Sequence, residues 1–116
     1  MGRLSTHVLD LAAGKPAAGV TWSLYKLDKR RKKICSGKTN EDGRTDQPLL
    51  GPDEMKTGVY EIVFDIAKYF AAKESGDFGM AFLDSIPIRF QIADGDQNYH
   101  VPLLVAPYGY STYRGS

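Results

Sequence analysis

Leu4-Ser5-Thr6-His7-Val8-Leu9 is the run whose alternation sets the fold. Side chains along a strand point to opposite faces in turn. Leu4, Thr6 and Val8 therefore share one face, and Ser5, His7 and Leu9 share the other. The same pattern recurs along the chain. Val20 to Leu27 groups Val20, Trp22, Leu24 and Lys26 against Thr21, Ser23, Tyr25 and Leu27. Lys32 to Thr39 is polar, which suits an edge strand whose charges deter further pairing. Gly58 to Phe64 is rich in Val, Tyr, Ile and Phe. Ile86 to Ala93 turns Ile86, Ile88, Phe90 and Ile92 to the core and Pro87, Arg89 and Gln91 outward; Tyr99 to Val105 is the sixth run. Marks such as Gly14-Lys15-Pro16, Asp42-Gly43, Gly51-Pro52, Asp94-Gly95 and Pro107 separate these runs. Short β-favouring runs between frequent turn marks predict an all-β sandwich or barrel. One segment breaks the period. Asp65 to Lys73 sets Ile66, Tyr69 and Phe70 at spacings of three and four, behind Asp65 as N-cap. It predicts one short helix, Ile66 to Lys73, inserted between strands.

The bulk properties narrow the function classes. A chain of 116 residues predicts a single domain, 1–116, with one core. Its 42% hydrophobic content is that of a globular chain. Fifteen Lys and Arg balance fourteen Asp and Glu, a net charge of +1, which argues against a dedicated nucleic-acid binder. Cys35 is the one cysteine, so neither an intrachain disulfide nor a multi-cysteine zinc site can form. No apolar run is long enough to span a membrane, and no apolar segment follows Arg3 as in a signal peptide. A cytoplasmic protein is expected, or a periplasmic one if a signal peptide has been removed.

Two histidines are the natural candidates for proton transfer. His7 stands opposite Leu4 and Val8; His100 stands opposite Val101, Leu103 and Val105, beside Pro102 and Leu104. Both are thus expected to point away from the sandwich core. Composition alone favours two unrelated surface histidines. Asn40 to Asp46 has turn chemistry, with Asp42-Gly43 supplying the positive φ of a tight reversal. Arg44 follows directly, as a solvated loop residue or as a planar fork of donors for a carbonyl or anion. The basic run Lys26 to Lys33 reads as an exposed hairpin turn, since no aromatic side chains interleave with it to form a stacking platform. Cys35 has no histidine near it in sequence and reads as a half-buried strand residue. Gly76-Asp77-Phe78-Gly79 is too short for a phosphate-cradling loop. No metal site and no cofactor are expected. The C-terminal stretch, Ala106 to Ser116, carries three Tyr and an Arg, and a tail so aromatic should pack against something.

Two of these segments carry a resemblance. Leu4-Ser-Thr-His-Val-Leu-Asp10 with Gly14-Lys-Pro-Ala17 resembles the opening motif of the transthyretin-like proteins. Pro107 to Ser116 resembles that family's second signature. Its closing Tyr113-Arg114-Gly115-Ser116 is similar to the enzyme branch, the 5-hydroxyisourate hydrolases, and differs from the hormone carriers. The resemblance implies a transthyretin-like sandwich of two four-stranded antiparallel sheets with one short helix. Two further strands are then needed, in Gly43 to Leu50 and in a split near Leu83 to Phe90. It implies a homotetramer with a central channel, binding no nucleic acid and no membrane. It implies hydrolysis of a small molecule, 5-hydroxyisourate, with His7, Arg44 and His100 catalytic. His7, Arg44, Tyr113, Arg114, Gly115 and Ser116 would contact the substrate. The competing readings are a non-catalytic carrier of small aromatic ligands on the same fold and a structural interaction module. A carrier's channel should be apolar, whereas these three side chains are polar and titratable.

Overall fold

The computed structural model describes residues 1–73 and 82–115; Gly76-Asp77-Phe78-Gly79 and Ser116 lie outside the described residues. Eight strands are present: β1 (Leu4–Asp10), β2 (Lys15–Pro16), β3 (Thr21–Leu27), β4 (Arg31–Lys38), β5 (Gly58–Asp65), β6 (Ser85–Ile92), β7 (Tyr99–Ala106) and β8 (Gly109–Thr112). Helix α1 (Ile66–Ala71) follows β5. The strands form two four-stranded sheets, ordered β2-β1-β7-β8 and β4-β3-β5-β6. The architecture is therefore the expected sandwich with one short helix. One pair departs from an all-antiparallel arrangement: β1 and β7 run parallel. Parallel neighbours need a long crossover, and here most of the chain, including the whole second sheet, lies between them.

The two additional strands lie elsewhere than expected. They are Lys15–Pro16 and Gly109–Thr112, at the outer edges of the first sheet. Residues 43–50 meet β1 only through isolated bridges, Arg44 to His7 and Leu50 to Leu4. Pro48 lies between these bridges and has no N–H for a continuous ladder. Ser85–Ile92 does not split, and pairs with β5 over eight consecutive residues. The polar strand β4 is an edge, as its composition requires.

The alternation read from sequence is the observed packing. Leu4, Val8, Leu103 and Val105 of the first sheet are fully buried against Leu24, Ile62, Phe64 and Ile86 of the second. Each such side chain contributes about 1.5–3 kcal/mol by leaving water. Two polar residues on the inward face of β1 are satisfied. Thr6 donates its hydroxyl to the carbonyl of Val101 at 2.7 Å. Asp10, 3% exposed, accepts from the Tyr69 hydroxyl at 2.7 Å and from the Ala13 N–H at 2.9 Å. Tyr69 belongs to α1, so this bond ties the helix to the first sheet. Burial, then the Asp10 carboxylate, push the Tyr69 hydroxyl well above its ordinary pKa. The helix begins as predicted, with Asp65 accepting from the Lys68 N–H at 3.2 Å. Among the described residues no helix is long and apolar enough to cross a membrane.

Candidate active site

The outward face of the first sheet is built by β1 and β7. Along β1 every second residue is fully buried, which leaves Ser5, His7 and Leu9 half-buried on the other side. His100 and Leu104 of β7 are likewise half-buried. The parallel register sets Ser5 beside His100 and His7 beside Pro102. Two histidines from opposite ends of the chain therefore share one patch, one step apart on adjacent strands. Their faces follow from sequence; their adjacency follows from the register.

Arg44 arrives by a docked turn. The Asn40 carboxamide oxygen accepts from the N–H groups of Asp42 and Arg44, at 2.9 and 3.1 Å. The Asn40 N–H donates to the Arg44 carbonyl at 2.7 Å, closing the loop. At its apex Gly43 has φ of +74°, and its carbonyl accepts from the Val8 N–H of β1 at 2.8 Å. A Cβ on Gly43 would lie 2.3 Å from the Val8 carbonyl oxygen. Both the left-handed backbone and the close approach demand glycine. Once the turn is seated on β1, Arg44 bridges His7. Among the described residues its guanidinium has no ion-pair partner.

The tail reaches the same strand. After β8, the Gly115 N–H donates to the His100 carbonyl at 2.8 Å. A Cβ on Gly115 would lie 2.6 Å from His100 Cδ2, so only glycine lets the tail lie this close to the ring. Ser5 completes the surroundings of His100, its Oγ standing 2.8 Å from Nδ1.

The electrostatics keep both imidazoles neutral. Burial lowers the pKa of His7 below 6.5, and the charge of Arg44 lowers it further, against a smaller opposing effect of Asp42. His100 is lowered by burial, then by Arg44, then by His7. Each ring is thus available as a proton acceptor near neutral pH, beside an uncompensated positive charge.

Tyr113 and Arg114 are placed differently from His7, Arg44 and His100. The Arg114 guanidinium donates to the Gln97 side chain at 3.0 Å and the Asn98 carbonyl at 3.1 Å, and stacks 4.2 Å over the Tyr99 ring. Within one chain it tethers the tail beside Tyr99. Tyr113, 61% exposed, lines with Arg114 a cleft of 330 Å³ shared with Ile88, Phe90, Tyr99 and Val101, beside the core-facing side of β7. Ser5 and Asn40 were not foreseen as parts of this site. The β1 alternation put Ser5 on the His7 face, but nothing local announced its partner.

The remaining sequence features are absorbed by structure. The basic run forms the β3–β4 hairpin, with Lys26 paired to Asp28 at 3.8 Å. The Cys35 thiol faces the Leu49 carbonyl at 3.5 Å, and burial, then Glu54, raise its pKa. Among the described residues no cluster of three or more His, Cys, Asp or Glu could hold a metal ion.

This chain resembles known proteins along its whole length. It is 52% identical over 116 residues to 5-hydroxyisourate hydrolase 2 of Rhizobium meliloti (strain 1021), covering 99% of this chain and 97% of that protein. Among solved structures it superposes on (S)-allantoin synthase with a TM-score of 0.90 at 44% identity; the match covers 99% of this chain and 44% of that one. It superposes on Klebsiella pneumoniae 5-hydroxyisourate hydrolase with a TM-score of 0.80 at 35% identity, over 98% and 99% of the two chains. The HIUase/Transthyretin family matches residues 4–115. An outward-facing pair of histidines on a two-sheet sandwich, read together with the family match over residues 4–115, makes this chain a member of the HIUase/Transthyretin family.

Proposed function

We propose that residues 1–116 act as one transthyretin-like domain that hydrolyses 5-hydroxyisourate to 2-oxo-4-hydroxy-4-carboxy-5-ureidoimidazoline in urate degradation. The observation that carries this reading is the convergence of His7, His100 and Arg44 on one outward sheet face. A neutral imidazole takes a proton from water as its oxygen attacks the C6 carbonyl of the ring. The N1–C6 bond then breaks, and N1 receives the proton as it leaves. The guanidinium of Arg44 orients the flat polar substrate and offsets negative charge on the carbonyl oxygen. An imidazole base contributes about 10²–10⁴ in rate. No cofactor takes part in this scheme.

Homotetramer assembly is the second half of the proposal. The histidine face is half-buried but open in one chain, and packing of subunits against it would enclose it into a channel that sheds bulk water. Tyr113, Arg114, Gly115 and Ser116 would close that enclosure; of these, Gly115 already lies against His100. The competing carrier reading requires an apolar channel, and the Ser5, His7, Arg44 and His100 set disfavours it.

The test is an ultraviolet assay. Urate oxidase generates 5-hydroxyisourate from urate in situ, and the decay of its absorbance is followed with and without this protein. Acceleration at catalytic protein concentration is the expected result. An unchanged decay with tight thyroxine binding would replace the hydrolase by a carrier.

A further inference from the structure

Ser5 and His100 are Cα partners across the parallel β1–β7 ladder, so the backbone register itself delivers the Ser5 hydroxyl to the ring. The Oγ–Nδ1 separation is 2.8 Å, a full hydrogen bond. The opposite nitrogen, Nε2, meets no protein hydrogen-bond partner among the described residues. Gly115 covers the Cδ2 edge of the ring, and its N–H holds the His100 carbonyl at 2.8 Å. The ring is thus pinned in one orientation, with one nitrogen engaged and the other free. A neutral imidazole carries a single N–H, and an Nδ1–H held by a hydroxyl acting as acceptor leaves the Nε2 lone pair free.

We propose that Ser5 is a positioning residue for the hydrolysis, its hydroxyl accepting the Nδ1–H of His100 and so leaving the Nε2 lone pair to take the proton from water. The proposal rests on the functional reading above and deepens it. The proton stays on Nδ1 throughout; the transient imidazolium forms when Nε2 gains the proton of water and returns it to the leaving N1. If the hydroxyl instead donated to Nδ1, Nε2 would carry the hydrogen and could not act as a base. Ser5 touches no reacting atom in this scheme and works only through His100. Its outward, half-buried position means that its removal opens no cavity in the core.

The experiment uses the full chain labelled with ¹⁵N. The protein has two histidines, so His7→Asn leaves His100 as the only ring in the spectrum. Long-range ¹H–¹⁵N correlation then reads the protonation of each nitrogen directly. The expected result is a protonated Nδ1 and an unprotonated Nε2 at neutral pH. Ser5→Ala in the same background should spread the signals toward a mixture of tautomers. In the otherwise unaltered chain, Ser5→Ala should lower kcat about tenfold with KM changed less than about twofold, and Ser5→Thr should restore kcat. An Nε2-protonated ring overturns the proposal. So does a Ser5→Ala protein with unchanged nitrogen shifts and unchanged kcat. If the unsubstituted chain fails to hydrolyse 5-hydroxyisourate, the functional reading falls; the nitrogen shifts still decide whether Ser5 sets the tautomer.

Discussion

The outward faces of the two sheets treat charge in opposite ways. On the second sheet, Glu61 of β5 accepts from Arg31 at 3.0 Å and from Arg89 at 3.3 Å, on strands to either side of the central pair. Arg31 also lies 3.7 Å over the Tyr25 ring. Every formal charge in that cluster has a partner. On the first sheet, Arg44 stands beside two neutral imidazoles and has no carboxylate among the described residues. The paired cluster completes a surface, whereas the unpaired cation leaves a demand that a polar ligand can meet. Exposure does not distinguish the two settings, since arginines on both faces are exposed; the presence of a carboxylate partner does.

That contrast can be broken by substitution. Replacing His7 or His100 by Asn, or Arg44 by Ala, should lower kcat/KM by about 10²–10⁴ while the thermal unfolding midpoint and assembly state stay unchanged. Steady-state ultraviolet kinetics check the first effect, and calorimetry with size-exclusion chromatography checks the second. Turnover near that of the unsubstituted protein in all three would make the first face as inert as the second. Next in size is Gly115→Ala, where the new Cβ must displace the His100 ring; a misplacement of that kind lowers kcat by up to about 10²-fold with the fold retained.

Gly43→Ala tests the docking of Arg44. A side chain at φ of +74° and against the Val8 carbonyl should cost about 1–3 kcal/mol in denaturant unfolding and lower activity by shifting the turn. Activity that survives the stability loss would separate the turn from the site. The pH response sharpens the electrostatic side. Burial and the charge of Arg44 lower both histidine pKa values from the ordinary imidazole value, so the rings are neutral for the most part at neutral pH and protonate in acid solution. The rate should therefore be level above neutral pH and fall in acid solution, with its inflection below the ordinary imidazole value. Removing the positive charge in Arg44→Ala should move both titration midpoints upward, as followed by proton NMR; unmoved midpoints would take Arg44 out of the field at the rings. The smallest effect belongs to the second sheet. Arg89→Ala, whose guanidinium is largely solvated, should cost less than about 1 kcal/mol and leave kcat/KM unaltered.

The elements differ in how visible they were. Five strands and the helix showed in the pattern because each has a hydrophobic period of its own, and β4 showed as a polar run suited to an edge. Lys15–Pro16 is two residues long and exposed, and Gly109–Thr112 is exposed throughout, so neither has an inward face to leave a period. Of the candidate site, His7 and His100 stood out by residue type and by face, and Arg44 by its place after the Asp42-Gly43 turn. The hold of Gln97, Asn98 and Tyr99 on the Arg114 guanidinium was not legible, since no spacing near the tail suggests those contacts. Ser5 was passed over because a serine opposite a hydrophobic stripe is ordinary until a histidine is laid beside it.

Sequence by itself determined which side of each long strand meets the core, because successive side chains in an extended chain must alternate and the apolar ones must leave water. It likewise determined the Asp42-Gly43 reversal and the capped start of α1, where a few adjacent residues settle the backbone. Only the tertiary structure decided that β1 lies parallel to β7, that Ser5 meets His100, and that Arg44 comes to rest beside His7. Those contacts join residues remote along the chain through ladder register and a docked turn, whose hydrogen bonds run between backbone groups common to every residue and so leave no trace in side-chain order.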